Sequence, residues 1–114
     1  MKISLFKVIG NNCIATEDGQ KIYDIIHPEL REGMVVELDF KNVKTFASTF
    51  FNPAIGHLLK DIDRDNLNKL LKIENLEPTG RSILERVIEN SKEYYSNPDA
   101  HKIIDEQFLK QTGN

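Results

Sequence analysis

Two adjacent hydroxyl side chains, Ser48 and Thr49, follow an apolar segment that ends near Asp39, and they are the first candidates for chemistry in this chain. A serine or threonine nucleophile needs a base within hydrogen-bond reach. The segment between Asp39 and the two hydroxyls contains no obvious base, and Asp39 is the nearest acidic group at which to look for one. A small enzyme with a pocket near Asp39 and Ser48 is therefore one hypothesis.

The same two hydroxyls have a purely structural interpretation. A Ser or Thr at the start of a helix accepts hydrogen bonds from the unpaired backbone N–H groups there. Asn52 followed by Pro53 is an equally good helix start, because proline suits the first helical position. If Asn52 caps the helix, Ser48 and Thr49 are exposed on the preceding loop. That loop can then serve as a recognition surface, and phosphorylation of one of the hydroxyls can switch it.

An acidic segment with Asp61, Asp63 and Asp65 at alternating positions begins like a calcium-binding loop. Such loops require glycine at the sixth position and a bidentate glutamate at the twelfth, where this chain has Asn66 and Lys72. We therefore predict a solvated acidic helix end here and no metal site.

The remaining reactive residue types form no catalytic set. His27, His57 and His101 are far apart in the sequence, lack the spacing of a ligand pair, and are predicted to be exposed. Cys13 is predicted to be a small buried apolar residue. The glycines are isolated, so there is no glycine-rich phosphate loop. These observations predict no cofactor, no metal and no enzymatic activity.

Composition limits the class of protein. The 114 residues suit one domain with a substantial core. A net charge of −3 with mixed signs argues against nucleic acid as the main partner, since neutralising the many phosphates of a nucleic-acid backbone needs a concentrated basic face. We expect no membrane partner because no apolar run approaches the length of a membrane span. A single cysteine and the lack of a signal-peptide pattern predict a cytoplasmic protein.

Hydrophobic periodicity predicts an α/β fold in the order β-β-α-β-α-β-α, with parallel strand pairing and right-handed crossovers. We expect a small mixed sheet with helices packed against it, formed by a domain of residues 1–96 and followed by a C-terminal helical tail of residues 97–114. Pro28 is predicted to end the first helix near His27. Predicted strands occupy residues 3–9, 13–16, 34–40 and 70–76, the first two joined as a hairpin. The first predicted helix follows a cap at Thr16 and ends near residue 27, and the second covers residues 51–62. The third begins at a capping box of Ser82 and Glu85 and reaches residue 95, and a short fourth helix follows a cap at Asn97.

The central segment "VVELDFKNVKTFASTFFNPAIGHLL" resembles the strand–loop–helix signature of the STAS superfamily, named for sulphate transporters and anti-sigma factor antagonists. It is more closely similar to a bacterial STAS-like family of unknown function. The resemblance covers roughly residues 1–95, although only the central motif is specific. The motif is carried by Asp39, Phe40, Val43, Ser48, Phe50, Asn52, Ala54, Ile55, Gly56 and Leu58.

In anti-sigma factor antagonists, a protein kinase with the histidine-kinase fold phosphorylates a serine in the loop after the central strand, and this switches partner binding. The alignment places Ser48 at that position, with Thr49 beside it. Antagonists usually have aspartate just before this serine and glycine shortly after it, whereas this chain has Ala47 and Phe50. The resemblance implies a non-enzymatic regulatory partner of a histidine-kinase-like ATPase or serine kinase.

The predicted partner-binding residues are Phe46, Phe50, Phe51, Asn52 and Asp39. We expect apolar surface to be exposed at the phenylalanines, because three of them within six positions cannot all enter one core from a loop. Exposed aromatic side chains with a polar rim are typical of an interface hot spot. Besides the enzyme hypothesis, a structural subunit of a larger complex remains an alternative.

Overall fold

The computed structural model describes residues 1–96, so the predicted tail of residues 97–114, which includes His101, lies outside the described residues. The α/β class is confirmed. The elements are β1 (Lys2–Ser4), α1 (Leu5–Ile9), β2 (Asn12–Cys13), α2 (Thr16–Arg31), β3 (Val36–Asp39), β4 (Thr45–Phe46), α3 (Ser48–Ala54), a 3-10 helix (Gly56–Lys60), α4 (Arg64–Leu70), β5 (Leu71–Glu74) and α5 (Pro78–Ser96).

The strands form two small parallel sheets. The first has the order β1-β3-β5, with Leu38 of the central strand paired to Ile3 and Ile73. The second pairs β2 with β4. Side chains alternate across β3, so that Val36 and Leu38 are buried whereas Glu37 and Asp39 are half-buried on the other face. The prediction of parallel pairing is confirmed for these strands.

The predicted hairpin between residues 3–9 and 13–16 is wrong. The first strand ends at Ser4, whose hydroxyl accepts a hydrogen bond from the Lys7 backbone N–H at 3.2 Å and so caps α1. A helix therefore replaces the second half of the predicted strand. The chain then continues into β2, which belongs to the second sheet.

Helix α2 does not end near His27 but runs through Pro28 to Arg31. A proline inside a helix costs about 3 kcal/mol because it removes a backbone donor and crowds the preceding turn. Ile26 and Leu30 on either side of it are 0% and 2% exposed. We attribute the continuation to this burial, since tertiary packing outweighs local propensity.

The core lies between the apolar face of the three-stranded sheet and the helices. Leu38 and Phe40 are 0% and 1% exposed, as predicted for a central strand. The predicted burial of Ile55, Leu58 and Leu59 is also confirmed, although their segment is not one helix. It is divided into α3 and the 3-10 helix at residue 55.

Two glycines let α3 and the segment after it lie close to their neighbours. A Cβ atom on Gly19 of α2 would overlap the carbonyl oxygen of Phe50. A Cβ atom on Gly56 would overlap the Ser91 hydroxyl of α5 and come within 3.1 Å of Val87 Cγ1. Helix α3 is therefore held tightly against α2, and the 3-10 helix against α5.

Candidate functional site

Helix α3 begins at Ser48, so neither predicted cap is correct. The N-cap position is Ala47, whose backbone is extended and whose side chain makes no cap hydrogen bond. Pro53 lies inside the helix, where it cannot donate to the carbonyl of Thr49 four residues earlier. The Thr16 hydroxyl donates to that carbonyl instead, at 3.3 Å. This long-range contact explains how α3 tolerates its proline.

The two candidate hydroxyls differ in their surroundings. Thr49 Oγ1 donates a hydrogen bond to the carbonyl oxygen of Ile14 at 2.5 Å. Ser48 is exposed, and its hydroxyl has no hydrogen-bond partner among residues 1–96. Thr49 therefore holds α3 in place, whereas Ser48 is available to a molecule from outside.

Ser48 lines an open depression of about 330 Å³ between α3 and α5. Ser48 and Asn52 contribute to it from one face of α3, one helical turn apart. From α5 come side chains spaced as on one helical face, namely Ile83, Arg86, Val87 and Asn90. We call these six residues the Ser48 depression. Within it, Val87 is 3% exposed and belongs to the core, and Ile83 is half-buried.

The polar side chains of the Ser48 depression have no hydrogen-bond or ion-pair partner among the described residues. These side chains are Ser48, Asn52, Arg86 and Asn90. No carboxylate from residues 1–96 lines the depression. Arg86 is thus the only charged residue that this part of the chain contributes to it.

The expectation of exposed aromatic side chains is wrong for Phe50 and Phe51, which are 1% and 0% exposed. Both belong to a helix rather than a loop, and that helix is packed against α2 and the core. Phe51 stacks on Phe46 with ring centroids 6.3 Å apart and lies 6.0 Å from Phe40. Phe46 is half-buried. Phe50 and Phe51 therefore stabilise the fold and offer no surface to a partner, contrary to their predicted partner-binding role.

The Asp39 carboxylate, at the end of β3, is held by hydrogen bonds. It accepts hydrogen bonds from Asn75 Nδ2 at 2.8 Å and from the Lys41 backbone N–H at 3.0 Å. These two bonds hold the pKa of Asp39 below its usual value. Asp39 does not line the Ser48 depression. Its carboxylate also forms no hydrogen bond with the Ser48 hydroxyl, the contact that a base acting on this hydroxyl would make.

The acidic segment has structural partners. The Asp61 carboxylate lies 2.9 Å from His27 Nε2 and accepts from Arg31 at 3.2 Å. Asp63 caps α4 by accepting from the Asn66 backbone N–H at 2.9 Å. Across residues 1–96, no group of three His, Cys, Asp or Glu side chains is arranged to hold a metal ion.

His27 and His57 are half-buried, so the prediction of exposed rings is wrong for both. They stack on opposite sides of Tyr23, at centroid distances of 4.7 and 4.6 Å. Burial, with a smaller contribution from Lys60, lowers the pKa of His57. This stack joins α2 to the 3-10 helix.

Cys13 is 0% exposed, which confirms that it is buried. Burial, reinforced by the negative charge of Asp18, raises the pKa of the Cys13 thiol to about 12. A thiol with such a high pKa is a poor nucleophile near neutral pH. Cys13 is therefore part of the core.

The α5 side of the depression was not among the residues selected from the sequence. The spacing of Ile83, Arg86, Val87 and Asn90 marks one face of a helix, which a sequence can show. It cannot show that this face lies opposite Ser48, because the contact joins residues more than thirty positions apart.

None of the helices within residues 1–96 combines the length and apolar character needed to cross a bilayer.

Comparison with known proteins identifies one family. The profile of a family described as a STAS-like domain of unknown function (DUF4325) matches residues 18–81, which is more than half of the chain and includes Ser48 and the start of α5. No curated protein and no solved structure matches significantly. The family match agrees with the resemblance of the central motif. The chain therefore belongs to the family of STAS-like domains of unknown function.

Proposed function

We propose that this protein is a non-enzymatic regulatory module that binds a protein partner through the Ser48 depression. The observation that carries the proposal is the exposed Ser48 hydroxyl, which stands in a depression whose polar groups have no partner within residues 1–96. No histidine or carboxylate of the described chain lines this depression to act as a base. A surface of this kind is suited to recognition rather than to bond breaking.

The scaffold around the depression supports this role. Thr49 is bonded at both its hydroxyl and its carbonyl to the segment of residues 14–16. The close approach at Gly56 sets the position of α5 next to the 3-10 helix. Binding groups held on such supported elements lose little conformational entropy when a partner docks.

The class of partner comes from the family resemblance. A histidine-kinase-like ATPase or serine kinase is the partner we propose, with Ser48 as the residue it phosphorylates. A kinase needs an accessible hydroxyl, which Ser48 has, whereas the hydroxyl of Thr49 is occupied by Ile14. A phosphate on Ser48 would add roughly −1.5 to −2 charges beside Arg86 and so change which partner surface fits.

Affinity capture from the native cell tests the binding role. Wild-type protein should retain a defined partner, identified by mass spectrometry, which Ser48→Asp and Asn52→Ala proteins lose while keeping their melting temperature. Thr79→Asp is the matched control, since Thr79 is also exposed but lies on α5 outside the depression and about two turns from Arg86. Equal capture by all variants would place the binding surface elsewhere.

Phosphorylation has its own test. Protein isolated from the native cell is mapped by mass spectrometry for phosphate on residues 48 and 49. We expect modification at Ser48 only, and no phosphate on a Ser48→Ala protein. Modification of Thr49 with Ser48 unmodified would contradict the assignment, because it would require the bond to Ile14 to open.

A further inference from the structure

We infer that the Ser48 depression is a binding site for one oxyanion group, a phosphate or a carboxylate. The inference builds on the surface assigned to partner binding above, but it can be measured without a partner. It rests on the kinds of group that line the depression, on their lack of other partners within residues 1–96, and on their arrangement.

The lining is rich in hydrogen-bond donors and carries a single positive charge. Arg86 presents a guanidinium with five N–H donors in a planar fork that matches the oxygens of phosphate and carboxylate. The amides of Asn52 and Asn90 and the hydroxyl of Ser48 can each add a donor. With no Asp or Glu of the described residues in the lining, no carboxylate there repels an anion.

Arg86 differs from Arg31 and Arg64, which are paired with carboxylates, and from Arg81, which is unpaired within the described residues but does not line the depression. Arg31 is paired with Asp61, and Arg64 with Glu89. Arg86 has no carboxylate within ion-pair distance among the described residues. Because Glu89, close to it on α5, is paired with Arg64, no carboxylate of residues 1–96 competes with an external anion for the guanidinium of Arg86.

The arrangement of the two helices brings the donors together. Ser48 and Asn52 are one turn apart on α3, and Arg86 and Asn90 are one turn apart on α5, so that two pairs of polar groups line the same depression. Val87 and Ile83 supply an apolar surface beside them. An anionic group carried on a short apolar stem would satisfy both parts of the lining.

The test is a titration of the isotopically labelled full chain with inorganic phosphate, followed by NMR at constant ionic strength against sodium chloride. We expect saturable shifts at the side-chain amides of Asn52 and Asn90 and at the Arg86 Nε–H. An Arg86→Gln protein should bind phosphate roughly tenfold more weakly, as expected when a charge-assisted hydrogen bond is lost. Arg81→Gln is the matched control, because Arg81 is exposed on α5 but does not line the depression.

Two further arms complete the experiment. Ser48→Asp places a carboxylate in the depression and should abolish phosphate binding, whereas Thr79→Asp, about two turns from Arg86 on α5, should not. Titrations with N-acetyl-phosphoserine amide and N-acetyl-glutamate amide, compared with phosphate and acetate, distinguish the source of the anion. Tighter binding of the amino-acid derivatives indicates a partner side chain, and equal binding indicates a free small anion.

Shifts that do not saturate, or that weaken equally in Arg81→Gln and Arg86→Gln proteins, would overturn the inference. The outcome is separable from that of the proposed function. Partner capture that depends on Asn52 without any anion binding would refute only the anion site. If phosphate binds but no captured partner is lost when the depression is substituted, only the proposed function is refuted.

Discussion

The hydroxyl of Thr49 donates a hydrogen bond to the carbonyl oxygen of Ile14 at 2.5 Å. This bond attaches the first turn of α3 to the segment that follows β2. The hydroxyl of Ser48, one position earlier, forms no hydrogen bond with a described residue. Two neighbouring hydroxyls that look equivalent in the sequence therefore have different roles, one in stability and one at the surface.

The difference can be measured as stability. Thr49→Val keeps the shape of the side chain but removes the donor, and should lower the free energy of unfolding by about 1 kcal/mol. Ser48→Ala should change it by less than about 0.5 kcal/mol, as is usual for an exposed side chain without partners. Urea unfolding of both proteins measures these values. Thr49→Ser, which retains a hydroxyl, should recover part of the loss, and equal effects at positions 48 and 49 would contradict this assignment.

Phe50 is predicted to be essential to the fold. Its side chain is 1% exposed, so Phe50→Ala removes a large buried ring and should cost about 3–5 kcal/mol. Asn52→Ala, an exposed change in the same helix, is the control and should cost less than about 0.5 kcal/mol. Thermal and urea unfolding supply the measurement. A Phe50→Ala protein with unchanged stability would show that the ring is on the surface.

His57 should make the domain sensitive to acid. Its pKa is lowered in the folded state by burial, by Lys60 and by His27, while Asp61 acts in the opposite direction. The unfolded chain therefore takes up the proton first, so the stability that neutral His57 provides is complete above its usual pKa of 6.5 and decreases as the pH falls below it.

The variant His57→Phe keeps an aromatic ring against Tyr23 but cannot titrate. The free energy of unfolding of this protein should fall less steeply between about pH 7 and pH 5 than that of the wild type. Urea unfolding at several pH values in this range compares the two slopes. Parallel curves would show that His57 titrates equally in both states.

The Cys13 thiol should be unreactive in the folded protein. It is fully buried with a pKa of about 12, so it should react with an aromatic disulfide reagent only after denaturation. A Ser48→Cys protein is the positive control and should show one additional thiol that reacts quickly in the native state. Rapid native-state reaction of the wild type would mean that β2 opens readily.

Local patterns in the amino-acid sequence are sufficient to specify several elements of the fold. The apolar run in residues 34–40 predicts β3, and the segment 70–76 predicts β5. The helical stripe of Ile55, Leu58 and Leu59 predicts burial that the structure confirms. The motif around Ser48 is likewise enough to indicate the family. These features involve residues close together in the chain, where the period of a strand or helix is itself the signal.

Which residues come together in the candidate site, in contrast, depends on tertiary packing. Burial of Leu30 stabilises α2 beyond Pro28. In α3, the Thr16 hydroxyl donates the hydrogen bond to the Thr49 carbonyl that Pro53 cannot donate, and the helix begins at Ser48 rather than at Asn52. That earlier start buries Phe50 and leaves Ser48 exposed opposite Arg86. Each of these outcomes depends on contacts between distant parts of the chain, whose energies outweigh the local preferences that a sequence pattern records.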